Sequence, residues 1–243
     1  MMTPLHTSPY AEVFTATPAG HQLLEASPEL QEVANRFLES NDPEDAFREH
    51  GTHLGMGSNS ELRVVGGAVV KISTLTTGRQ AHRTHSEIEP EDLIGQFDFM
   101  RALGAELEQM PQADVVVPEQ FFAIKSNRDD YLLVQQNMVG WQPIGSWSSD
   151  RGYGPRRSPN GIYEPVKQRL RDTLGSSALK HGVNDLGIWS KRPLHGGNLL
   201  VPKDADNLDG PLCIIDQPAS GWRAKFAVRA ARKQLKKSDQ LSA

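Results

Sequence analysis

The stretch from residue 51 to residue 73 constrains the fold most strongly, and it is written GTHLGMGSNSELRVVGGAVVKIS. It is rich in glycine and β-branched residues, and Gly66 and Gly67 stand between two valine-containing runs. Paired glycines between apolar runs are typical of a tight hairpin turn. We therefore predict a strand, a glycine-containing loop, a second strand, a two-residue turn and a third strand in this order.

Helical patterns flank this β-rich stretch on both sides. Residues 27–40 begin with Ser27 and Pro28, which are typical of a helix start, and continue with apolar residues at helical spacing. Apolar periodicity predicts further helices at 42–51, 90–110, 164–182 and 221–237, with Gly175 as a candidate break in the helix at 164–182. Further strands are predicted at 113–125 and 130–136, and a hairpin at about 198–216. The mixture predicts an α+β fold, with an irregular arm at 1–26, a connector at 137–145 and a loop at 146–163.

Composition limits the classes of protein and of partner. The formal net charge of −4 over 243 residues does not indicate a nucleic-acid partner. The single cysteine, Cys213, excludes an internal disulfide framework and fits a reducing compartment. No apolar run approaches the ~18 residues of a membrane span, and the first residues lack the pattern of a secretion signal. We expect a cytoplasmic protein without a membrane span, and export by a non-standard route is left open.

The first candidate site is the loop LGMGSNSELRVV at 54–65 together with Lys71. Gly55 and Gly57 permit close approach of the backbone, so amide N–H groups can point at phosphate oxygens. A lysine on the following strand supplies a positive charge to the same phosphates. The alternative is an ordinary glycine-containing hairpin with a solvated lysine.

The second candidate site is formed by Asn198, directly before the apolar run LLV, and Asp216, directly after CII. Amide and carboxylate oxygens suit a hard cation such as Mg²⁺, which takes one or two protein ligands together with nucleotide phosphates. The alternative is turn chemistry, with Asn198 capping a turn and Asp216 opening a loop.

The order of these features resembles the protein-kinase-like fold. LGMGSNSELRVV resembles its glycine-rich loop, and AVVK at 68–71 resembles the strand that carries its conserved lysine. YLLVQQNMVG resembles the last small-lobe strand and the hinge that follows it. HGGNLLV resembles the end of the catalytic loop, and CIIDQP resembles the segment at the Asp-Phe-Gly position. The resemblance covers about 51–218. This resemblance implies an N-terminal arm with helices at 1–50, a β-rich small lobe at 51–136 and a reduced, mainly helical large lobe at 137–243.

The resemblance also implies ATP and Mg²⁺ as cofactors and assigns roles to individual residues. Lys71 would hold the α- and β-phosphates, and Gly55 and Gly57 would let the loop close over them. Asn198 and Asp216 would bind Mg²⁺.

Two further roles follow from the same resemblance. Gln136 and Met138 would present backbone groups to the adenine. Glu91, twenty residues after Lys71, is our choice for the acid that pairs with this lysine. The spacing of the apolar residues in the same helix offers Gln96 and Asp98 as alternative positions for this partner.

The catalytic loop departs from the family pattern. Pro193 stands five residues before Asn198, at the position of the catalytic Asp, and proline cannot accept a proton. One interpretation is a catalytically inactive pseudokinase, or a kinase-like enzyme that does not use this acid. Another is an insertion that lets Asp185 serve as general base with His195 orienting it. The alternative is that Asp185 is only a helix-end or turn residue.

Only 27 residues follow Asp216, which leaves no room for the peptide-binding helices of conventional protein kinases. The sequence therefore favours an ATP–Mg²⁺-dependent phosphotransferase of atypical kinase-like fold that acts on an unknown small-molecule or protein acceptor. The alternatives are a catalytically inactive nucleotide-binding scaffold that acts through a partner protein, and an α+β interaction protein unrelated to kinases.

The C-terminal segment 221–237 carries seven lysine and arginine residues and no acid. A basic helix can bind phosphate, anionic lipid or nucleic acid. We favour the simpler interpretation that it neutralises an acidic body and that Trp222 and Phe226 anchor it to the core.

Overall fold

The computed structural model describes residues 8–40, 47, 49–56, 61–73, 91–110, 113–128, 130–152, 159–189, 194, 197–215 and 222–241. The chain forms two compact units. Unit 1 comprises Met1–Phe97 with Glu119–Asn137, and unit 2 comprises Asp98–Pro118 with Met138–Ala243. Helices and strands are mixed in the chain, which confirms the predicted α+β class.

The strands are β1 (Ala11–Ala16), β2 (Thr52–Met56), β3 (Glu61–Val65), β4 (Ala68–Ser73), β5 (Val115–Val116), β6 (Gln120–Ser126), β7 (Tyr131–Gln136), β8 (Trp141–Pro143), β9 (Leu199–Pro202) and β10 (Leu212–Ile214). The α-helices are α1 (Pro18–Ala26), α2 (Pro28–Glu39), α3 (Glu91–Glu108), α4 (Ile144–Asp150), α5 (Pro159–Leu174) and α6 (Trp222–Leu241). A 3₁₀-helix spans Lys180–Leu186.

Unit 1 contains an antiparallel six-stranded sheet with the order β1-β6-β7-β4-β3-β2. The predicted tight turn joins β3 to β4. Gly66 and Gly67 have φ values of 54° and 81°, and positive φ at both central residues is what a two-residue turn of type I′ requires. Val65 pairs with Ala68 across this turn, so the prediction for the hairpin is confirmed.

Apolar side chains cover one face of this sheet. The predicted start of α2 is confirmed, because the Ser27 Oγ accepts a hydrogen bond from the Leu30 amide and Pro28 occupies the first helical position. The stripe of α2 and alternate residues of the sheet form one buried cluster, which includes Leu30, Val33, Phe37, Val70, Ile72, Phe122 and Val134. A separate, smaller cluster contains Phe97, Ala123, Tyr131 and Leu133.

Unit 2 contains a four-stranded sheet with the order β5-β10-β9-β8. β5 runs parallel to β10, and the other two pairs are antiparallel. The hairpin predicted at about 198–216 is confirmed, since Leu199 pairs with Ile214 and Leu200 with Cys213. The buried core of this unit joins these strands to α3, α4, α5, α6 and the 3₁₀-helix.

The 3₁₀-helix packs closely against two helices of the same unit. A Cβ atom on Gly182 would lie 2.2 Å from a ring carbon of Phe99 in α3 and 3.0 Å from the Cβ of Ala227 in α6. Only glycine fits between these neighbours without displacement, so Gly182 is required by packing and not by backbone conformation.

Several sequence-based predictions of secondary structure are wrong. The predicted arm contains β1 and α1, and Thr17 caps α1 by accepting a hydrogen bond from the Gly20 amide. The single strand predicted at 113–125 is two strands, β5 and β6, that belong to different sheets. Pro118 lies between them, and its missing N–H prevents continuous strand pairing.

The predicted connector and loop also contain regular structure, namely β8, α4 and the first residues of α5. Helix α5 ends at Leu174, directly before Gly175, whereas the prediction extended it to residue 182. Phe226 is 60% exposed, so the prediction that it anchors α6 to the core is wrong. The Trp222 side chain lies outside the described residues.

Candidate functional site

Lys71 lies in the centre of β4, in a row of paired residues that crosses the sheet of unit 1. Its Cα pairs with that of Leu62 on β3 and with that of Leu133 on β7. Leu62 in turn pairs with Gly55 on β2. Because neighbouring strands are about 4.8 Å apart, Gly55 and Lys71 lie about 10 Å apart in one row. The structure thus brings together two of the residues that the sequence singled out.

The side chain of Lys71 is buried on the face of the sheet opposite to α1 and α2. Val70 and Ile72 belong to the cluster with these helices, and strand alternation directs Lys71 to the other face. Leu133, which pairs with Lys71, belongs to the second cluster, whose helical members Ile94 and Phe97 come from α3. Lys71 itself is only 7% exposed.

Burial changes the ionisation of this lysine. Desolvation lowers the pKa of Lys71 from an ordinary value of 10.5 to about 7. The charged form is disfavoured where water is excluded, and a nearby anion would restore it. Phosphate oxygens beside this amine would favour its ammonium form, which donates charge-assisted hydrogen bonds to them.

Two buried glutamines add polar groups to the same face of the sheet. Gln135 pairs with Val69 on β4 and with Gln120 on β6, so these residues form the row next to that of Lys71. Gln120 is 3% exposed and Gln135 is 6% exposed. Neither residue could be selected from the sequence, because a glutamine in a strand gives no sign of its burial.

Gln136 and Met138, which were predicted to face the adenine, follow at the end of β7. The Gln136 N–H donates to the Glu119 carbonyl at 2.8 Å, and its side-chain Oε1 accepts from the Glu119 N–H at 3.2 Å. The Met138 carbonyl accepts from the Trp141 N–H at 3.1 Å. The backbone N–H of Gln136 is therefore already hydrogen-bonded within unit 1. That the Gln136 carbonyl and the backbone of Met138 contact adenine stays a prediction.

The candidate partners of Lys71 lie on α3. Glu91 is the first residue of this helix, and its side chain lies outside the described residues. Asp98 accepts a hydrogen bond from the Arg232 Nε at 2.6 Å, so this competitor is engaged with α6. Gln96 is half-buried. The assignment of Glu91 stays a prediction.

The predicted metal ligands belong to the hairpin of unit 2. The Asn198 carbonyl accepts a hydrogen bond from the Ile215 N–H at 3.0 Å, which extends the pairing of β9 and β10 by one residue. Asp216 is the next residue after Ile215 and lies outside the described residues. Gly57 of the predicted glycine-rich loop also lies outside them. The structure thus places Asn198 opposite the residue that precedes Asp216.

The position of the predicted general base is described only for the backbone. Asp185 lies in the 3₁₀-helix between the buried residues Val183 and Leu186. Its side chain, Pro193 and His195 lie outside the described residues. The insertion hypothesis for Asp185 therefore stays a prediction.

Polar contacts hold the loop between β9 and β10, residues 203–211, which we call the hairpin loop. Arg169 on α5 donates to the carbonyls of Leu208 and Gly210 and to the Asp114 carboxylate. The Trp147 indole N–H donates to the Ala205 carbonyl at 2.8 Å. Arg169 could not be selected from the sequence, because its position is that of any polar residue on an amphipathic helix.

Other kinds of chemistry find less support among the described residues. Burial raises the pKa of the Cys213 thiol to about 12, which makes this cysteine a poor nucleophile. In the described part of the chain, no three His, Cys, Asp or Glu side chains are grouped to hold a metal ion. Over the same residues, no helix has the length and apolarity needed to cross a membrane.

No protein-family model matches the sequence, and no curated protein matches it. Among solved structures, a similar chain is that of WaaP in complex with acyl carrier protein, which is 16% identical. The alignment covers 90% of this chain and 79% of that chain with a TM-score of 0.41. A similarity of this degree does not establish a shared activity.

Proposed function

We propose that the protein is an ATP- and Mg²⁺-dependent phosphotransferase of atypical kinase-like fold, with a small lobe at 51–136 and a reduced large lobe at 137–243. The observation that carries the proposal is the desolvated Lys71, which shares one row of the sheet with Gly55. A glycine-containing strand next to a hairpin that presents a lysine provides the parts that bind nucleotide phosphates in kinases.

The hairpin of unit 2 supports the proposal independently. Asn198 pairs through its backbone with Ile215, and Asp216 is the next residue. Their amide and carboxylate oxygens are the donors that Mg²⁺ prefers, and two protein ligands are sufficient when phosphates supply the others. Bound there, Mg²⁺ would neutralise phosphate charge, which is its contribution to phosphoryl transfer.

The residues of the chain would act mainly by positioning and by charge. Lys71 would be neutral in part before ATP binds and would take up a proton as the phosphates approach, since an adjacent anion favours the ammonium form. Gly55 would permit close approach of the backbone to the phosphates. The proton of the acceptor hydroxyl would pass to Asp185 if this side chain reaches the site.

The alternative proposal is a nucleotide-binding pseudokinase that acts through a partner protein. It is favoured by Pro193, which stands where kinases have the proton acceptor. The two proposals share the binding site and differ only in turnover.

Binding is tested by thermal denaturation with and without Mg-ATP. A ligand present at 100 times its Kd stabilises the folded state by roughly 2.7 kcal/mol, so we expect an increase in Tm of several degrees. Lys71→Met should abolish the increase. Lys125→Met is the matched control, because Lys125 lies on β6 of the same sheet and pairs with Glu12. No increase in Tm for the unmodified protein would refute both proposals.

Turnover is tested with ATP that carries a label on either the α- or the γ-phosphate, against a panel of small-molecule and protein acceptors. Transfer of the γ-label supports the phosphotransferase, whereas transfer of the α-label indicates AMP transfer. Asp185→Asn should stop transfer and leave the Mg-ATP-dependent increase in Tm intact. Binding without transfer to any acceptor would favour the pseudokinase.

A further inference from the structure

The C-terminal helix α6 has two faces of opposite character. Ala227, Val228 and Ala231 are buried against the core of unit 2, and Leu235 packs against the same core. The side chains on the other face are exposed, and they include six cations, Lys225, Arg229, Arg232, Lys233, Lys236 and Lys237. At 100° per residue these cations occupy an arc of about 140°, opposite to the buried arc.

An exposed aromatic ring belongs to this basic face. Phe226 is 60% exposed, and the Arg229 guanidinium carbon lies 6.0 Å from the centre of its ring. Lys233 and Lys237 follow Phe226 by seven and eleven residues, so the three side chains project in nearly the same direction. The ring thus lies among the cations and does not contribute to the core.

The cations of this face differ in whether an acid compensates them within the described residues. Arg232 forms an ion pair with Asp98, but Lys233, Lys236 and Lys237 form no ion pair in the part of the chain that the structure describes. Lys233 and Lys237 are four residues apart, as are Arg232 and Lys236, and like charges at this spacing destabilise a helix. An anionic partner would remove this repulsion.

We propose that the exposed face of α6 binds an anionic lipid surface. A band of cations about 18 Å long on one side of a helix presents its charge to a plane of lipid headgroups. The apolar face of α6 is occupied by the core of unit 2, so binding would rest on attraction between the cations and anionic headgroups, with Phe226 adding an apolar contact. The chain would bind at the surface of a bilayer through this helix.

The aromatic ring decides between lipid and nucleic acid as the partner. Phosphate contacts to a nucleic acid explain the cations, but Phe226 would then need an unstacked base, which single-strand-binding proteins hold in a groove. The face of α6 is the convex side of a helix. In a bilayer interface, Phe226 can enter the boundary between headgroups and acyl chains while the lysines contact the headgroups.

Cosedimentation with vesicles tests the proposal. We expect the full chain, without nucleotide, to bind vesicles made of equal parts phosphatidylglycerol and phosphatidylcholine and not vesicles of phosphatidylcholine alone. Replacing Lys233, Lys236 and Lys237 together by glutamine should weaken binding on the order of a hundredfold at low salt. The matched variant with arginine at these three positions should bind like the parent. Phe226→Gln should weaken binding, and Phe226→Leu should retain most of it.

The variants alter exposed positions of a helix, and far-UV circular dichroism checks that each is folded. A labelled single-stranded oligonucleotide forms the second arm of the experiment. Preferential binding of the oligonucleotide would overturn the proposal, and so would failure to bind anionic vesicles or equal binding by the glutamine variant. None of these outcomes depends on ATP binding, so the proposed function is tested separately.

Discussion

The burial of Lys71 predicts a specific dependence of stability on pH, which the substitution Lys71→Met should remove. Methionine has a similar length and no ionisable group. The folded protein lowers the pKa of Lys71 from 10.5 to about 7, so between these values the unfolded chain holds a proton that the folded chain has released. The cost of burying the charged amine is complete below pH 7, and it decreases as the pH rises towards 10.5.

The size of the effect follows from the shift in pKa. Each unit corresponds to about 1.4 kcal/mol, so the full shift costs about 5 kcal/mol at low pH. Roughly half of this cost disappears between pH 6 and pH 9. We therefore expect Lys71→Met to be more stable than the parent at pH 6, with an advantage that decreases by roughly half by pH 9.

Equilibrium urea denaturation followed by far-UV circular dichroism measures this difference at each pH. Subtracting the two curves removes the contributions of all other titrating groups, provided that they do not interact with Lys71. Lys203→Met, at an exposed lysine, shows how far the same change of side chain alters the curve without burial. A difference between the parent and Lys71→Met that does not vary with pH would refute the reasoning.

Three further predictions concern the structure around the site. Urea denaturation should show that Gly66→Ala is less stable than Gly67→Ala by about 1 kcal/mol. Both positions have positive φ, so both variants are strained. Only at Gly66 would the new Cβ also lie 2.3 Å from the Ser27 Oγ. Equal effects would contradict this explanation. Arg169→Gln should cost about 2 kcal/mol and accelerate amide hydrogen exchange in the hairpin loop, and unchanged exchange would contradict its role there. Cys213 should react with iodoacetamide at neutral pH only after unfolding, and rapid labelling of the native protein would contradict its burial.

Local signals in the sequence were sufficient for the elements with distinctive turns or caps. The hairpin around Gly66 and Gly67 could be predicted because the two-residue turn requires positive φ at both positions. The start of α2 could be predicted because Ser27 and Pro28 satisfy the first turn of the helix. The hairpin of β9 and β10 followed from two short apolar runs separated by polar residues.

Pairing over long distances explains what the sequence did not reveal. Residues Ala11–Ala16 form a strand because they pair with β6, which lies more than a hundred residues later in the chain. The segment 113–125 was predicted as one strand, although Pro118 lies between two strands that belong to different sheets. Propensity is local, whereas the partner that stabilises an edge strand is chosen by the tertiary fold.

The candidate site shows the same division. The sequence selected Lys71 and Gly55 from their spacing, and the structure places them in one row. Gln120 and Gln135 are buried because their face of the sheet is covered. The sequence of a strand that is apolar on both faces does not show which face is covered.

Proton uptake on nucleotide binding is the most direct test of the claim that Lys71 binds phosphate. Titration calorimetry of Mg-ATP in two buffers with different ionisation enthalpies measures the number of protons taken up. With a pKa of about 7 before binding and near its ordinary value afterwards, Lys71 should take up about 0.9 proton at pH 8 and about 0.1 proton at pH 6. Binding of Mg-ATP with no proton uptake at pH 8, or no binding at all, would contradict the account.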